Sequence, residues 1–132
     1  MEPILHLSLP VRELESSREF YVDVLGCTPG QTGEGGMDVW FYGLQLTLQE
    51  QPGQLLSDEQ QGVRHFGVTL DRAALDALLT RLQKLPVRWI SPVSTDTVGT
   101  LRGKTSAKIA DPSGNVIELK SYDDPKAALG AQ

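Results

Sequence analysis

LHLSLPVRELE (residues 5–15) and RHFGVTLDRAAL (residues 64–75) can be laid over one another so that His6 and His65 fall at the same station. Each stretch is a short apolar run followed by helical spacing, so the chain reads as one unit written twice. In the first copy, PILHLSL (3–9) is a strand leading into Pro10, and Leu14, Phe20, Tyr21, Val24 and Leu25 recur as on one helix face. Gly26 stops that helix. The segment 27–37, CTPGQTGEGGM, is rich in turn formers and reads as a loop, and DVWFYG and LQLTLQE read as two strands separated at Gly43. In the second copy, RHFGVTL is a strand, Asp71 caps a helix striped by Leu75, Leu78, Leu79 and Leu82, and strands follow at 87–90, 104–110 and 116–122. DPSGN (111–115) is the turn before the last strand. The closing strands also align, with Leu44-Gln45-Leu46 beside Ile117-Glu118-Leu119, so Gln45 and Glu118 are expected to be repeat mates.

The expected fold is therefore α+β, with two βαβββ modules, at about 1–52 and 62–124, curling into an open half-barrel. A chain of 132 residues fits a single domain, leaving 125–132 as a tail. With 39% apolar and 22% charged residues, it has the composition of a folded globular protein. A net charge of −5, a pI near 4.9 and no concentrated Lys/Arg run argue against nucleic acid or a membrane surface as partner. Cys27 is the sole cysteine, so no internal disulfide forms, and the first residues lack the charged start and long apolar stretch of a signal peptide. A cytoplasmic location is the expectation.

The two histidines are the only ones in the chain, and a carboxylate flanked by Ile117 and Leu119 needs a partner. Taken singly, each His is an ordinary strand residue. Taken together, His6, His65 and Glu118 are a candidate metal triad of imidazole nitrogen and carboxylate oxygen, with Gln45 as a doubtful fourth donor. Period-two alternation puts Val116, Glu118, Lys120 and Tyr122 on one face, and Ser8 on the face of His6. Glu118, Lys120 and Tyr122 are the candidate catalytic groups. Ser8, Arg102 and Lys104 are the candidates for holding substrate, against the plain alternative of solvated polar side chains. Trp40 and Tyr42 are assigned to packing. Cys27 follows a helix C-terminus, where the dipole disfavours a thiolate, and is expected to be inert. The EGGM loop lacks the spacing and context of a phosphate cradle.

ILHLSLPV with FYVDVLG, then FYGLQLTL, HFGVTL and DPSGNVIELKSY, in this order and at these spacings, resemble the vicinal oxygen chelate superfamily of glyoxalase I, extradiol dioxygenases, fosfomycin-modifying enzymes and bleomycin-binding proteins. The likeness covers nearly the whole chain and is nearest to small dioxygenase-like members. It implies that His6, His65 and Glu118 match the ligand positions, and that Gln45 matches a position that is a ligand in glyoxalases. It also implies one divalent ion, Fe(II) foremost, with Mn(II), Ni(II), Co(II) or Zn(II) as alternatives, a small-molecule substrate with vicinal oxygens, and a homodimer. Dioxygenase-like chemistry is the first functional expectation. Ring-cleaving members use further histidines as acid/base groups, and here both are spent as ligands. A glyoxalase-type isomerase or lyase is the second reading, and a metal-free drug-binding protein the third.

Overall fold

The computed structural model describes residues 1–97, 103–128 and 130, and its chain forms two units. Unit 1 comprises Met1–Val63 with Asp111–Asn115, and unit 2 comprises Arg64–Ala110 with Val116–Gln132.

In unit 1, strand β1 (His6–Val11) is followed by helix α1 (Leu14–Arg18) and strands β2 (Thr28–Gly33), β3 (Gly36–Phe41) and β4 (Leu44–Glu50). The sheet order is β1-β4-β3-β2, with β1 parallel to β4 and the other pairs antiparallel. Pro10 does not end β1, as the sequence suggested, because β1 is an edge strand. Its carbonyl accepts from Asn115 Nδ2 at 3.0 Å, away from β4, and the missing N–H falls on that same side.

Beyond Arg18 the helix widens into a π-helical segment (Glu19–Val24) rather than keeping the plain α spacing expected. The Leu25 N–H bonds to the Phe20 carbonyl at 2.9 Å, five residues back. The wider turn lets the adjacent Phe20 and Tyr21 both be buried, ring edge to ring face with centroids 5.1 Å apart. They lie with Met37, Val39, Phe41, Leu46 and Leu48 in the core of this unit. Alternation along β3 and β4 leaves Asp38, Trp40, Gln45 and Thr47 half-buried on the other face. Strand β2 occupies most of the stretch read as a loop. Its residues are almost all exposed, and backbone pairing to β3, not an apolar pattern, makes it a strand. Tyr42 does not share a strand face with Trp40: with Gly43 it forms the two-residue turn between β3 and β4, at φ 50° and 87°.

A short helix α2 (Asp58–Gln61), with a capping box between Ser57 and Gln60, precedes the second unit. There β5 (Phe66–Thr69), α3 (Arg72–Leu82), β6 (Arg88–Asp96), β7 (Lys104–Ala110) and β8 (Val116–Tyr122) repeat the order, and a one-turn helix α4 (Pro125–Ala128) follows. The sheet runs β5-β8-β7-β6, again with one parallel pair, β5 and β8. Asp71 caps α3 through the Ala74 N–H at 2.8 Å, and Leu75, Leu78, Leu79 and Leu82 are buried as their spacing foretold. Each such leucine contributes about 2 kcal/mol. They bury with Ala107, Ile109, Ile117 and Leu119, so Lys104, Ser106, Lys108, Glu118, Lys120 and Tyr122 occupy the opposite face. Among the described residues no helix is long and apolar enough to cross a membrane.

Within unit 1 the turn 111–115 is organised by the buried Asp111. Its Oδ1 accepts the N–H groups of Ser113 and Asn115 at 2.8 and 2.9 Å, and its Oδ2 accepts Tyr21 Oη at 2.7 Å and Asn115 Nδ2 at 2.9 Å. Burial, and then the Asp111 carboxylate, hold the Tyr21 phenol well above its ordinary pKa. Tyr21→Phe is expected to lower stability in urea unfolding by about 2 kcal/mol at neutral pH, since it removes a hydrogen bond to a buried carboxylate. With Tyr21 raised in the folded state, its contribution is intact below the unfolded value near 10 and is lost as pH climbs towards the folded value. The gap between wild type and Tyr21→Phe should therefore narrow above pH 10.

Candidate functional site

The polar face of unit 2 is positioned by the parallel seam of β5 and β8. Gly67 lies opposite Glu118, and a Cβ placed on Gly67 would stand 2.0 Å from the Glu118 carbonyl oxygen. No side chain fits there, so the two backbones close together and the space above Glu118 is left to His65. His65 Nε2 lies 3.8 Å from Glu118 Oε1. Lys120 Nζ is 3.6 Å from the same oxygen, and Lys104 Nζ is 3.9 Å from Glu118 Oε2. The Glu118 side chain is only 12% exposed, with an imidazole and two ammonium groups around one carboxylate. A cavity of about 280 Å³ opens here, lined by His65, Gly67, Thr69, Glu118 and Lys120.

This seam also corrects the symmetry expected from sequence. His6 is paired with Gln45 in the β1–β4 register, whereas Gly67, not His65, is paired with Glu118. If Gln45 and Glu118 are mates, His65 stands two residues earlier than His6. His65 stands one residue before β5 begins, rather than inside the strand as the sequence suggested, and its imidazole reaches Glu118 diagonally. The stretch RHFGVTL could be aligned on its histidine, but the close approach that requires Gly67 is a backbone event between distant segments.

In unit 1, His6 is exposed on β1 beside Gln45. Gln45 Nε2 donates to Asp38 Oδ2 at 3.1 Å, and Thr47 Oγ1 donates to Asp38 Oδ1 at 2.7 Å. A carboxylate only accepts, so the amide NH₂ must face Asp38, leaving Oε1 as the atom Gln45 can offer elsewhere. The sequence reading missed Asp38. Its signal was the Tyr42-Gly43 turn: a two-residue turn sets Trp40 opposite Gln45 and Asp38 opposite Thr47. Lys108 was missed likewise, and it lies opposite Glu118.

The remaining candidates are dispersed. Ser8 accepts from Gln49 Nε2 at 2.5 Å and lines a cavity of about 260 Å³ with Pro10, Gln51 and Gln54. Tyr122 carries the Lys120 ammonium 5.8 Å from its ring centroid, yet lines a different cavity, with Thr69, Leu70, Asp71 and Pro125. Arg102 lies outside the described residues. Burial pushes the Cys27 thiol up to about 11, which keeps it protonated and unreactive near neutral pH. The triad His6, His65 and Glu118 is divided, His6 in unit 1 and the other two in unit 2, and within neither unit, among the described residues, do three His, Cys, Asp or Glu side chains gather as a complete metal site.

Residues 3–119 match the protein family described as the Glyoxalase/Bleomycin resistance protein/Dioxygenase superfamily. Among solved structures, the chain is similar to a glyoxalase/bleomycin resistance protein/dioxygenase from Alicyclobacillus acidocaldarius, with 26% identity, a TM-score of 0.85 and 95% of each chain covered. It shares its fold with a glyoxalase/dioxygenase from Nostoc punctiforme, at 18% identity, a TM-score of 0.70 and 92% coverage of both chains. It also shares it with the fosfomycin resistance protein FosX from Listeria monocytogenes, at 16% identity and a TM-score of 0.76, covering 96% of this chain and 98% of that one. No curated protein matches the sequence.

Gly67→Ala should be more damaging than a glycine-to-alanine change in an ordinary strand, because the obstacle is a backbone carbonyl that cannot rotate aside. A loss of about 2–3 kcal/mol in chemical unfolding is expected, with faster amide exchange confined to β5 and β8. Wild-type exchange in those strands would contradict the close seam.

Proposed function

As the chain belongs to the glyoxalase/bleomycin resistance protein/dioxygenase superfamily, we propose that it is a divalent-metal-dependent enzyme acting on a small organic substrate with two vicinal oxygens. His6, His65 and Glu118 are the protein ligands in this reading, with Gln45 Oε1 as an additional donor. Superfamily members are often metal-dependent and many are enzymes. The observation that carries the reading is the convergence of His65 Nε2 and Glu118 Oε1, 3.8 Å apart, over Gly67. That separation exceeds a hydrogen bond but suits two donors that each reach one ion at ~2.1 Å. In unit 1, the Asp38 contact that leaves Gln45 Oε1 available supports the neighbouring His6 half in the same way.

A bound divalent ion would supply Lewis-acid polarisation of the two substrate oxygens. The chain's own groups have three tasks. Glu118 and the imidazoles fix the charge and orientation of the site. Lys120 Nζ, beside Glu118, is placed to donate a hydrogen bond to an oxygen that gains charge. The cavity of about 280 Å³ over Gly67 gives a small substrate room beside these groups. A two-His, one-carboxylate set with open positions suits Fe(II) and dioxygen chemistry, so dioxygenase-like activity is the first reading and glyoxalase-type isomerisation the second. The active form in this proposal is a homodimer. Strand β5 lies at a sheet edge, where a second chain can pair.

Protein purified without chelator is expected to carry close to one transition-metal ion per chain by elemental analysis, and His65→Ala and Glu118→Gln to lose most of it. With Fe(II) restored anaerobically, oxygen consumption on a panel of catechols and 2-hydroxy ketones should follow metal content. Metal-dependent turnover without oxygen uptake would move the assignment to the isomerase reading. Wild-type protein that takes up no metal would overturn the proposal.

A further inference from the structure

We infer that one of the substrate's two vicinal oxygens belongs to a carboxylate, and that Lys104 and Lys120 hold that anionic group on the polar face of β7 and β8. This rests on the metal-site reading above and adds a substrate class to it.

The first observation is charge. Lys104 and Lys120 have side chains only 21% and 29% exposed, unusual for a residue that seldom leaves water unpaired. Both turn to Glu118, and Lys108 shares their face directly opposite it. Three lysines therefore stand on this sheet face with two carboxylates, Glu118 among them and Asp96 opposite Lys104 on β6, in a chain whose net charge is −5.

The second observation is the repeat, which acts as an internal control. With Gln45 taken as the mate of Glu118, the strand register of unit 1 places Trp40 at the station of Lys108, Thr47 at that of Lys120 and Gly36 at that of Lys104. The same architecture is thus built without these lysines. Their positive charge is peculiar to this face of unit 2, and packing does not demand it.

The third point is chemical. Once Glu118 is committed to a divalent ion, Lys120 loses the carboxylate it turns to and Lys104 keeps only Asp96 across the strand pair, and half-buried cations so close to a further cation are strongly disfavoured. A substrate carboxylate relieves this by accepting charge-assisted hydrogen bonds from both Nζ groups. A neutral substrate of the same shape does not.

Glycolate and its neutral isostere glycolamide both present vicinal oxygens and differ in charge. Titrated into the full chain, metal-free and Zn(II)-loaded, and followed by amide ¹H–¹⁵N shifts, glycolate is expected to bind at least roughly tenfold more tightly, the scale of one charge-assisted hydrogen bond. The shifts should centre on Lys104, Ser106 and Lys120. Lys104→Met and Lys120→Met, each keeping an unbranched stem and verified as folded by its amide spectrum, should each remove most of that preference. Equal or undetectable binding of the two probes by the wild type overturns the inference, as does a preference left intact in both variants. The outcomes separate the two proposals. Protein that binds Zn(II) without preferring glycolate keeps the metal reading and loses this one, whereas glycolate preference in protein that binds no metal keeps the anion site and removes the metal.

Discussion

The parallel seam between β5 and β8, where Gly67 lies against the backbone of Glu118, is the constraint on which the candidate site depends. A Cβ at Gly67 would meet the Glu118 carbonyl oxygen at 2.0 Å, so only glycine allows these strands to pair at this register. The pairing places His65 within diagonal reach of the carboxylate and opens the cavity above it. It also explains why Glu118 is tolerated in so apolar a strand. Its neighbours Ile117 and Leu119 are fully buried beneath the sheet, while its carboxylate emerges on the other face among an imidazole and two ammonium groups. A buried charge is stable only with such partners, and here the partners outnumber it.

Much of this was legible in the sequence, because the strongest signals were periodic. The leucine stripe of α3, its Asp71 cap and the alternation in β3, β4, β7 and β8 all reflect local rules, and they emerged at nearly the expected positions. What escaped had causes distant along the chain. Strand β2 carries Pro29, Gly30 and Gly33 and buries almost nothing, so only its pairing with β3 reveals it. The π-helical turn at Glu19–Val24 follows from the need to bury two adjacent aromatics, one of them bound to Asp111, ninety residues on. Residue register across a parallel pair cannot be read from either strand alone, which is why His65 was matched to His6 when Gly67 is the residue facing Glu118.

The candidate site was legible as residue types but not as an environment. Two histidines and a carboxylate stand out in 132 residues because they are rare or out of place. Asp38, which turns Gln45, and Lys108, which faces Glu118, are ordinary residues whose importance lies in cross-strand pairing. The two copies of the repeat share an architecture and differ in electrostatics. One offers His6, Gln45 and an Asp38 that accepts from Gln45 and Thr47, and the other offers His65, Glu118 and a set of lysines. Duplicated scaffolds separate stability from chemistry in this way: the apolar faces of the sheets are similar, and the polar faces are free to diverge.

The central claim is that two imidazoles, one from each copy of the repeat, share a metal ion with Glu118. X-ray absorption spectroscopy of the Zn(II)-loaded protein tests it most directly, because imidazole rings give a distinctive outer-shell scattering that counts them. The account predicts a first shell of nitrogen and oxygen donors only, with scattering from two imidazoles per metal. A single imidazole, or none, in the wild-type protein would contradict it.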